Sequence, residues 1–310
     1  MTSVDAFRKV KIDWRKKAVA FRAFDVLPGG QQLYYLTQRY VTRTIPRKLA
    51  NHGKWLFEHA RVFRQSHGDD IGKARLFEFG AGLDLFSNIV QWCYGVNDQR
   101  VVDIRRWARV ELINQVITYL AENPPPGCIR VPEIALTEPF EAPLAQHYGI
   151  RYEAPADARR TRLEDGSVDL ICTTSVLEHV PVDALRDILR ECHRICHPES
   201  VSSHVIDYTD HYAHSDASIS MYNFLRFTDD EWQRFNPDIH YQNRLRHVDY
   251  GQLFRSEGFR VRDEKAVTPD GSEAQLSAVP LAGRFRDMPA AVLLPRTGHW
   301  VLGRSSSPLE

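Results

Sequence analysis

The chain has 310 residues, 43% of them hydrophobic, and its 40 lysines and arginines equal its 40 aspartates and glutamates. A formal charge of zero argues against a dedicated grip on nucleic acid or on an anionic membrane, and leaves room only for a local patch. No apolar run reaches the length of a membrane span. Met1 to Lys17 is charged, with no signal-peptide core, and five cysteines do not make a disulfide framework in a chain this long. A cytoplasmic, reducing setting is therefore the expectation.

Residues 1–70 read as a mostly helical cap. Leu27-Pro28-Gly29-Gly30 breaks it, and residues 31–41 and 55–63 carry helical spacing. Tyr34, Tyr35 and Tyr40 are expected to pack this cap on the core, with the lining of a cleft as the alternative. From residue 71 the pattern changes. Leu76, Phe77 and Phe79 make a short strand, Gly80-Ala81-Gly82 a turn, and Leu85, Phe86, Ile89, Val90 and Cys93 a helix. Val101-Val102-Asp103 ends a second strand with a carboxylate about 20 residues past the second glycine, the plan of a site for a ribose-bearing ligand. Asp84 stands where a dinucleotide fingerprint has its third glycine. A carboxylate there would repel a pyrophosphate but suits a cationic ligand. The stretch Glu78-Phe79-Gly80-Ala81-Gly82 resembles motif I of class I methyltransferases that use S-adenosylmethionine (SAM).

Trp107, Val110, Ile113, Val116, Ile117 and Leu120 mark the next helix, which Pro124-Pro125-Pro126-Gly127 follows. Residues 128–150 read as an insertion or an irregular strand–helix segment. Asp157-Ala158, the turn Asp165-Gly166-Ser167-Val168-Asp169 and the tract Leu177-Glu178-His179 then resemble the middle of the same family, in its type 11-like form. The resemblance spans about residues 74–206. It departs from the family at Cys196-His197-Pro198-Glu199-Ser200, where a Lys-Pro-Gly-Gly turn is usual.

The resemblance implies a seven-stranded, doubly wound, Rossmann-like α/β sheet that binds SAM. Glu78, Gly80, Ala81, Gly82, Asp103 and Ile104 would hold the cofactor, with Asp157 and Ala158 at the adenine and Ser175 nearby. Asp165 and Asp169 read as turn residues. Cys192-His193 and Cys196-His197 read as the end of an amphipathic helix, not as metal ligands. Phe259-Arg260-Val261 and Trp300-Val301-Leu302 are expected as the last two strands, a hairpin in this fold.

Ligands of such sheets lie beyond the strands' carboxyl ends. Glu78 to Gly82, Asp103, Ser175 to His179 and Asp207 to His214 should fall there. A hydroxyl acceptor needs its proton removed, so His179, His211 and His214, with Asp207, are the candidate catalytic groups. Glu178, Asp207 and Asp210 are a candidate set for Mg²⁺ or Mn²⁺. The insertion at about 207–247, with Trp232 and Asn243-Arg244-Leu245-Arg246, reads as a polar, aromatic acceptor site. The expected organisation is a cap over 1–70 and a SAM-binding domain over 71–310. The expected function is O-methylation of a sugar or glycan hydroxyl. A small polyhydroxylated or phenolic acceptor, or a SAM-binding module without turnover, stays open, as does the oligomeric state. Neither nucleic acid nor membrane is expected as a partner.

Overall fold

A computed structural model describes residues 13–305; the expectation for the first 12 residues lies outside this range. Seven strands form one sheet: β1 (Arg75–Phe79), β2 (Asp98–Val102), β3 (Ile150–Glu153), β4 (Val168–Thr174), β5 (Cys196–Asp207), β6 (Phe259–Val267) and β7 (Thr297–Arg304). Their order is β3-β2-β1-β4-β5-β7-β6. The pairs β1–β2, β1–β4, β2–β3 and β4–β5 are parallel. This is the mixed seven-stranded, Rossmann-like sheet with flanking helices that the resemblance implies.

The strands are apolar because both faces are covered. Leu76, Phe77, Leu170, Ile171 and Cys172 are fully buried. The helix Phe86–Cys93 buries Ile89, Val90 and Cys93 against Ile113, Val116 and Leu120 of the helix Val110–Glu122. Residues 128–140 form no regular element, then the helix Glu141–Tyr148 leads into β3. β5 begins at Cys196 rather than Val201. Val168 pairs with Cys196 and Leu170 with Val201, so residues 197–200 bulge out of the ladder where the family's turn would stand.

The chain divides into two compact units. One comprises Lys48–Ile206, Val248–Ala266 and Gly298–Glu310; the other Met1–Arg47, Asp207–His247 and Val267–Thr297. The boundary thus falls at Arg47, not at 70. The helix Gly53–His67 belongs with the sheet, where Leu56, Ala60 and Phe63 are buried. The connection from β6 to β7 runs through the second unit, so these neighbouring strands are not joined by a tight hairpin.

The second unit is built on aromatic rings. Trp14, Phe21, Tyr212, Tyr222, Phe224 and Trp232 share its core with Leu225, Phe285 and Leu293. Its helix Trp14–Val26 begins at Asp13, whose carboxylate accepts from Arg15 N and Lys16 N. The first turn is then fastened by Trp14 N donating to Asp216 Oδ2 at 2.9 Å, and Asp25 Oδ1 accepts from Ile239 N at 2.9 Å. Tyr35 is buried in this unit and Tyr40 is exposed. No described helix is long and apolar enough to cross a membrane.

Candidate active site

The glycine turn follows β1. Gly80 has φ +74°, and a Cβ there would meet Val176 Cγ1 at 2.7 Å. Gly82 has φ +77° with nothing within 4 Å of where its Cβ would stand. A left-handed glycine beside open space is what close approach of a ligand to backbone requires. Two nearby residues hold left-handed backbone without being glycine: Leu85 (φ +51°), the cap of the helix Phe86–Cys93, and Ser175 (φ +53°), just past β4. Such conformations persist only where the surrounding structure imposes them.

The carboxylates around the turn are placed differently from one another. Glu78 points inward, with Oε2 accepting from Asn88 Nδ2 at 2.8 Å and from Cys172 Sγ at 3.4 Å. Burial pushes its carboxyl up to about 7, against the donors of Cys172, Ser87 and Asn88. Glu78 therefore anchors the turn from beneath. Asp103 follows β2, and its Oδ2 accepts from Gly82 N at 3.3 Å. Burial pushes it up to about 7 as well, with that N–H opposing. Asp103 is the carboxylate that meets the turn, and Ile104 beside it is 62% exposed. The loop after β3 is tied to this point by Ala156 N donating to Asp103 O at 2.8 Å. Ala158 is buried, and the Asp157 carboxylate is clasped by Arg159 through Nε at 2.9 Å and Nη2 at 2.7 Å. That hydrogen bonding holds Asp157 below the ordinary carboxylate range. The expected adenine contact of Asp157 thus shares its carboxylate with an arginine of its own turn. A cavity of ≈ 580 Å³ beside it is lined by guanidiniums and carboxylates, among them Arg190, Arg194 and Glu191.

Beyond β4, Glu178 is buried and His179 half-buried on a single turn, Leu177–His179.

In the second unit a compact polar cluster forms where β5 ends. Asp207 Oδ1 accepts from Thr209 N at 2.8 Å and from Thr209 Oγ1 at 2.6 Å. Its Oδ2 faces His211 Nε2 at 3.4 Å and His214 Nε2 at 3.7 Å. The two imidazoles stack with centroids 4.8 Å apart. Although burial raises the Asp207 carboxyl, His211, His214 and Thr209 outweigh it and hold the group at about 2. Thr209 Oγ1 lies 2.8 Å from His214 Nε2. With its hydroxyl proton on Asp207, it accepts there from an Nε2–H.

Asp210 does not join this cluster. It is fully buried, and its carboxylate accepts from Tyr212 N at 2.8 Å and Asn223 Nδ2 at 3.0 Å. The Mg²⁺ or Mn²⁺ set of Glu178, Asp207 and Asp210 therefore loses Asp210. Trp232 is also not an open platform. It is 3% exposed and sits in the aromatic core. Arg244 and Arg246 turn inward too. Arg244 donates to Phe224 O, Phe227 O and the Asp229 carboxylate. Arg246 donates to Tyr208 O, Leu293 O and Pro295 O, each at 2.6 Å. Both are braces of the fold rather than parts of an acceptor surface.

Sequence reasoning had no signal for a buried histidine chain in the sheet unit. His59 Nδ1 lies 2.6 Å from Ser203 Oγ and its Nε2 3.0 Å from Thr174 Oγ1, while Ser203 Oγ lies 2.9 Å from His299 Nε2. His204 Nδ1 lies 2.8 Å from Thr173 Oγ1. Burial holds His59 well below the usual histidine range and takes His204 to about 3.

Residues 135–202 match a family model described as a methyltransferase domain. The chain carries a methyltransferase domain. The matched stretch holds Asp157, Ala158, Ser175, Glu178 and His179 of this methyltransferase, while the glycine turn and Asp103 precede it. No curated protein matches the chain. Among solved structures, it is similar to the PH0226 protein of Pyrococcus horikoshii OT3 at 13% identity and TM-score 0.48, over 88% of this chain and 99% of that one. It is also similar to a SAM-dependent methyltransferase of Clostridium acetobutylicum at 9% identity and TM-score 0.47, over 89% and 99%. A third likeness is to geranyl diphosphate C-methyltransferase of Streptomyces coelicolor, at 11% identity and TM-score 0.46, over 83% and 82%.

Proposed function

We propose that this methyltransferase uses SAM to methylate a hydroxyl oxygen of a sugar or glycan. The observation that carries the hydroxyl acceptor is the Asp207–His211–His214 cluster where β5 ends. SAM supplies a methyl group activated on a sulfonium. An oxygen acceptor takes that group only as it gives up its proton, because an alcohol is a poor nucleophile at neutral pH. Asp207, braced by Thr209, orients the two imidazoles that engage the hydroxyl and its proton. The open side of Gly82 fits a cofactor against the backbone, and Asp103 fits a pair of ribose hydroxyls. Gly80, Ala81, Ile104, Asp157, Ala158 and Ser175 complete the assigned cofactor residues. The neutral charge of the chain supports an uncharged acceptor over nucleic acid.

A small polyhydroxylated or phenolic acceptor is the second reading. The burial of Trp232 and Tyr212 favours it, because two rings that could have stacked on a sugar face are spent on the core. A turnover screen with methyl-labelled SAM against nucleotide sugars, free glycans, phenols and amines separates these readings. Label on sugar hydroxyls is the expected result. Label confined to phenols selects the second reading, and label on amines with none on any hydroxyl overturns both.

A further inference from the structure

We propose that Asp207, His211 and His214 form a binding site for one divalent transition-metal ion of the zinc type. The spacing of the three groups suits a shared ion: His211 Nε2 and His214 Nε2 stand 3.4 and 3.7 Å from the same carboxylate oxygen. Ligand atoms held at about 2.0–2.1 Å from a tetrahedral Zn²⁺ are about 3.3 Å apart. All three candidate ligand atoms lie within 4.8 Å of one another.

The cluster is also built as a metal site is built. The oxygen of Asp207 that does not face the imidazoles is held by Thr209 N and Thr209 Oγ1, which turns Oδ2 toward both rings. Outer partners of this sort orient a ligating carboxylate. The carboxylate and the imidazoles follow one another at offsets of four and three residues, so one short segment supplies all three ligands. The His214 side chain is 46% exposed, which leaves a path for an ion to enter. Binding would draw His214 Nε2 from Thr209 to the ion, while Thr209 keeps its bond to Asp207.

The donor set decides the kind of ion. Two imidazole nitrogens and one carboxylate oxygen suit Zn²⁺ or Fe²⁺, while Mg²⁺ prefers oxygen donors and water. Three protein ligands leave a position for water or an alcohol, the pattern of catalytic rather than structural zinc sites. With the ion bound, both Nε2 atoms would be ligands rather than bases, and an alcohol on the ion would ionise near neutral pH with its proton passing to solvent water. That catalytic use rests on the function proposed above; the binding of the ion does not.

The test uses the full-length protein, stripped with a chelator and titrated with Zn²⁺ by calorimetry. Tight binding of one equivalent is expected, together with visible absorption bands of low-coordinate geometry when Co²⁺ replaces Zn²⁺. His211→Ala and His214→Ala should each abolish that tight binding and those bands. Thr209→Val should weaken binding about 10–100-fold. Circular dichroism shows that each variant is folded, and Asp207→Asn serves as a second ligand variant if a histidine variant is not. Zn²⁺ affinity equal in wild type and in folded His211→Ala, or no binding by wild type, overturns the proposal. SAM binding and methyl transfer are measured on the same metal-free samples. Turnover without any Zn²⁺ site would remove the metal and leave the methyltransferase reading standing. A Zn²⁺ site without turnover on any acceptor would do the reverse.

Discussion

The two units solve the problem of a stable interior by different means. The sheet unit is built around parallel strands that bury Leu, Ile and Val on both faces, with rings such as Phe77, Phe86 and Tyr148 among them, and its polar interior groups bond to each other, as His59, Ser203 and His299 do. The other unit gathers three separate lengths of chain, each too short to bury a core alone. Large aromatic rings fill its interior, and buried guanidiniums donate to backbone carbonyls that no strand or helix satisfies. A regular sheet pairs its own backbone. An interior made of loops must import its donors, and arginine, with five N–H groups in a fixed fork, does this with one side chain.

The sharpest way to break this comparison is at Arg246. Replacing it by Ala leaves the carbonyls of Tyr208, Leu293 and Pro295 without that donor in a buried place. A loss of about 3–5 kcal/mol is expected, since each lost bond to a charged group is worth about 1.5–3 kcal/mol and such losses do not add fully. Arg246→Lys should recover little, because an ammonium's donors sit on one nitrogen, whereas the three carbonyls are held by two separate guanidinium nitrogens. Urea denaturation followed by tryptophan fluorescence measures this. A loss under about 1 kcal/mol would show that the carbonyls find other partners.

The next effect concerns the glycine turn in the sheet unit, where SAM is proposed to bind. Asp103→Asn should weaken SAM binding about 10–100-fold, the worth of about 1.5–3 kcal/mol for hydrogen bonds to a charged group. The sign with pH follows from burial. Asp103 is pushed up to about 7, and Glu78 beneath the turn likewise, so in the free protein both are substantially protonated below that pH. A carboxylate accepts from ribose hydroxyls best when ionised. Wild-type affinity should therefore rise as pH is raised through 7, and the Asn variant should show a smaller rise. Calorimetry at pH 6 and 8 checks both, and an equal pH dependence in the two proteins would count against this role of Asp103.

The smallest effect per step is the acid lability of the buried histidines. His204 is held down to about 3 by burial, while an unfolded histidine titrates near 6.5. Between these values the unfolded chain binds the extra proton, so stability falls as pH is lowered through this window, by up to about 1.4 kcal/mol per pH unit for one such group. His59 is displaced in the same direction and adds to the slope. His204→Leu should flatten the fall by about one proton between pH 6 and 4.5, measured by urea denaturation across that range. An unchanged slope would mean that the native protein admits a proton at His204.

What the chain declares locally was legible without coordinates. β1, the glycine turn and its following helix, the strand ending at Asp103, and β4 followed by Leu177–His179 each depend on side-chain period and turn chemistry within a few residues. Residues that look polar and aromatic on paper, by contrast, read alike whether they face solvent or a core. Trp232, Tyr212, Arg244 and Arg246 turn inward only because segments from 13–47, 207–247 and 267–297 meet in one unit. The same holds for Asp210, whose carboxylate is taken by Asn223, and for His59, which meets Ser203 across 144 residues of chain. Local periodicity by itself marked individual strands, the glycine turn and the helices beside them, because strand and helix patterns repeat within a single segment; their closure into one seven-stranded sheet was implied by the family resemblance. Only the tertiary structure decided which histidines face a shared carboxylate and which are sealed in the core. A hydrogen-bonding side chain carries no mark of its partner until distant segments are packed together.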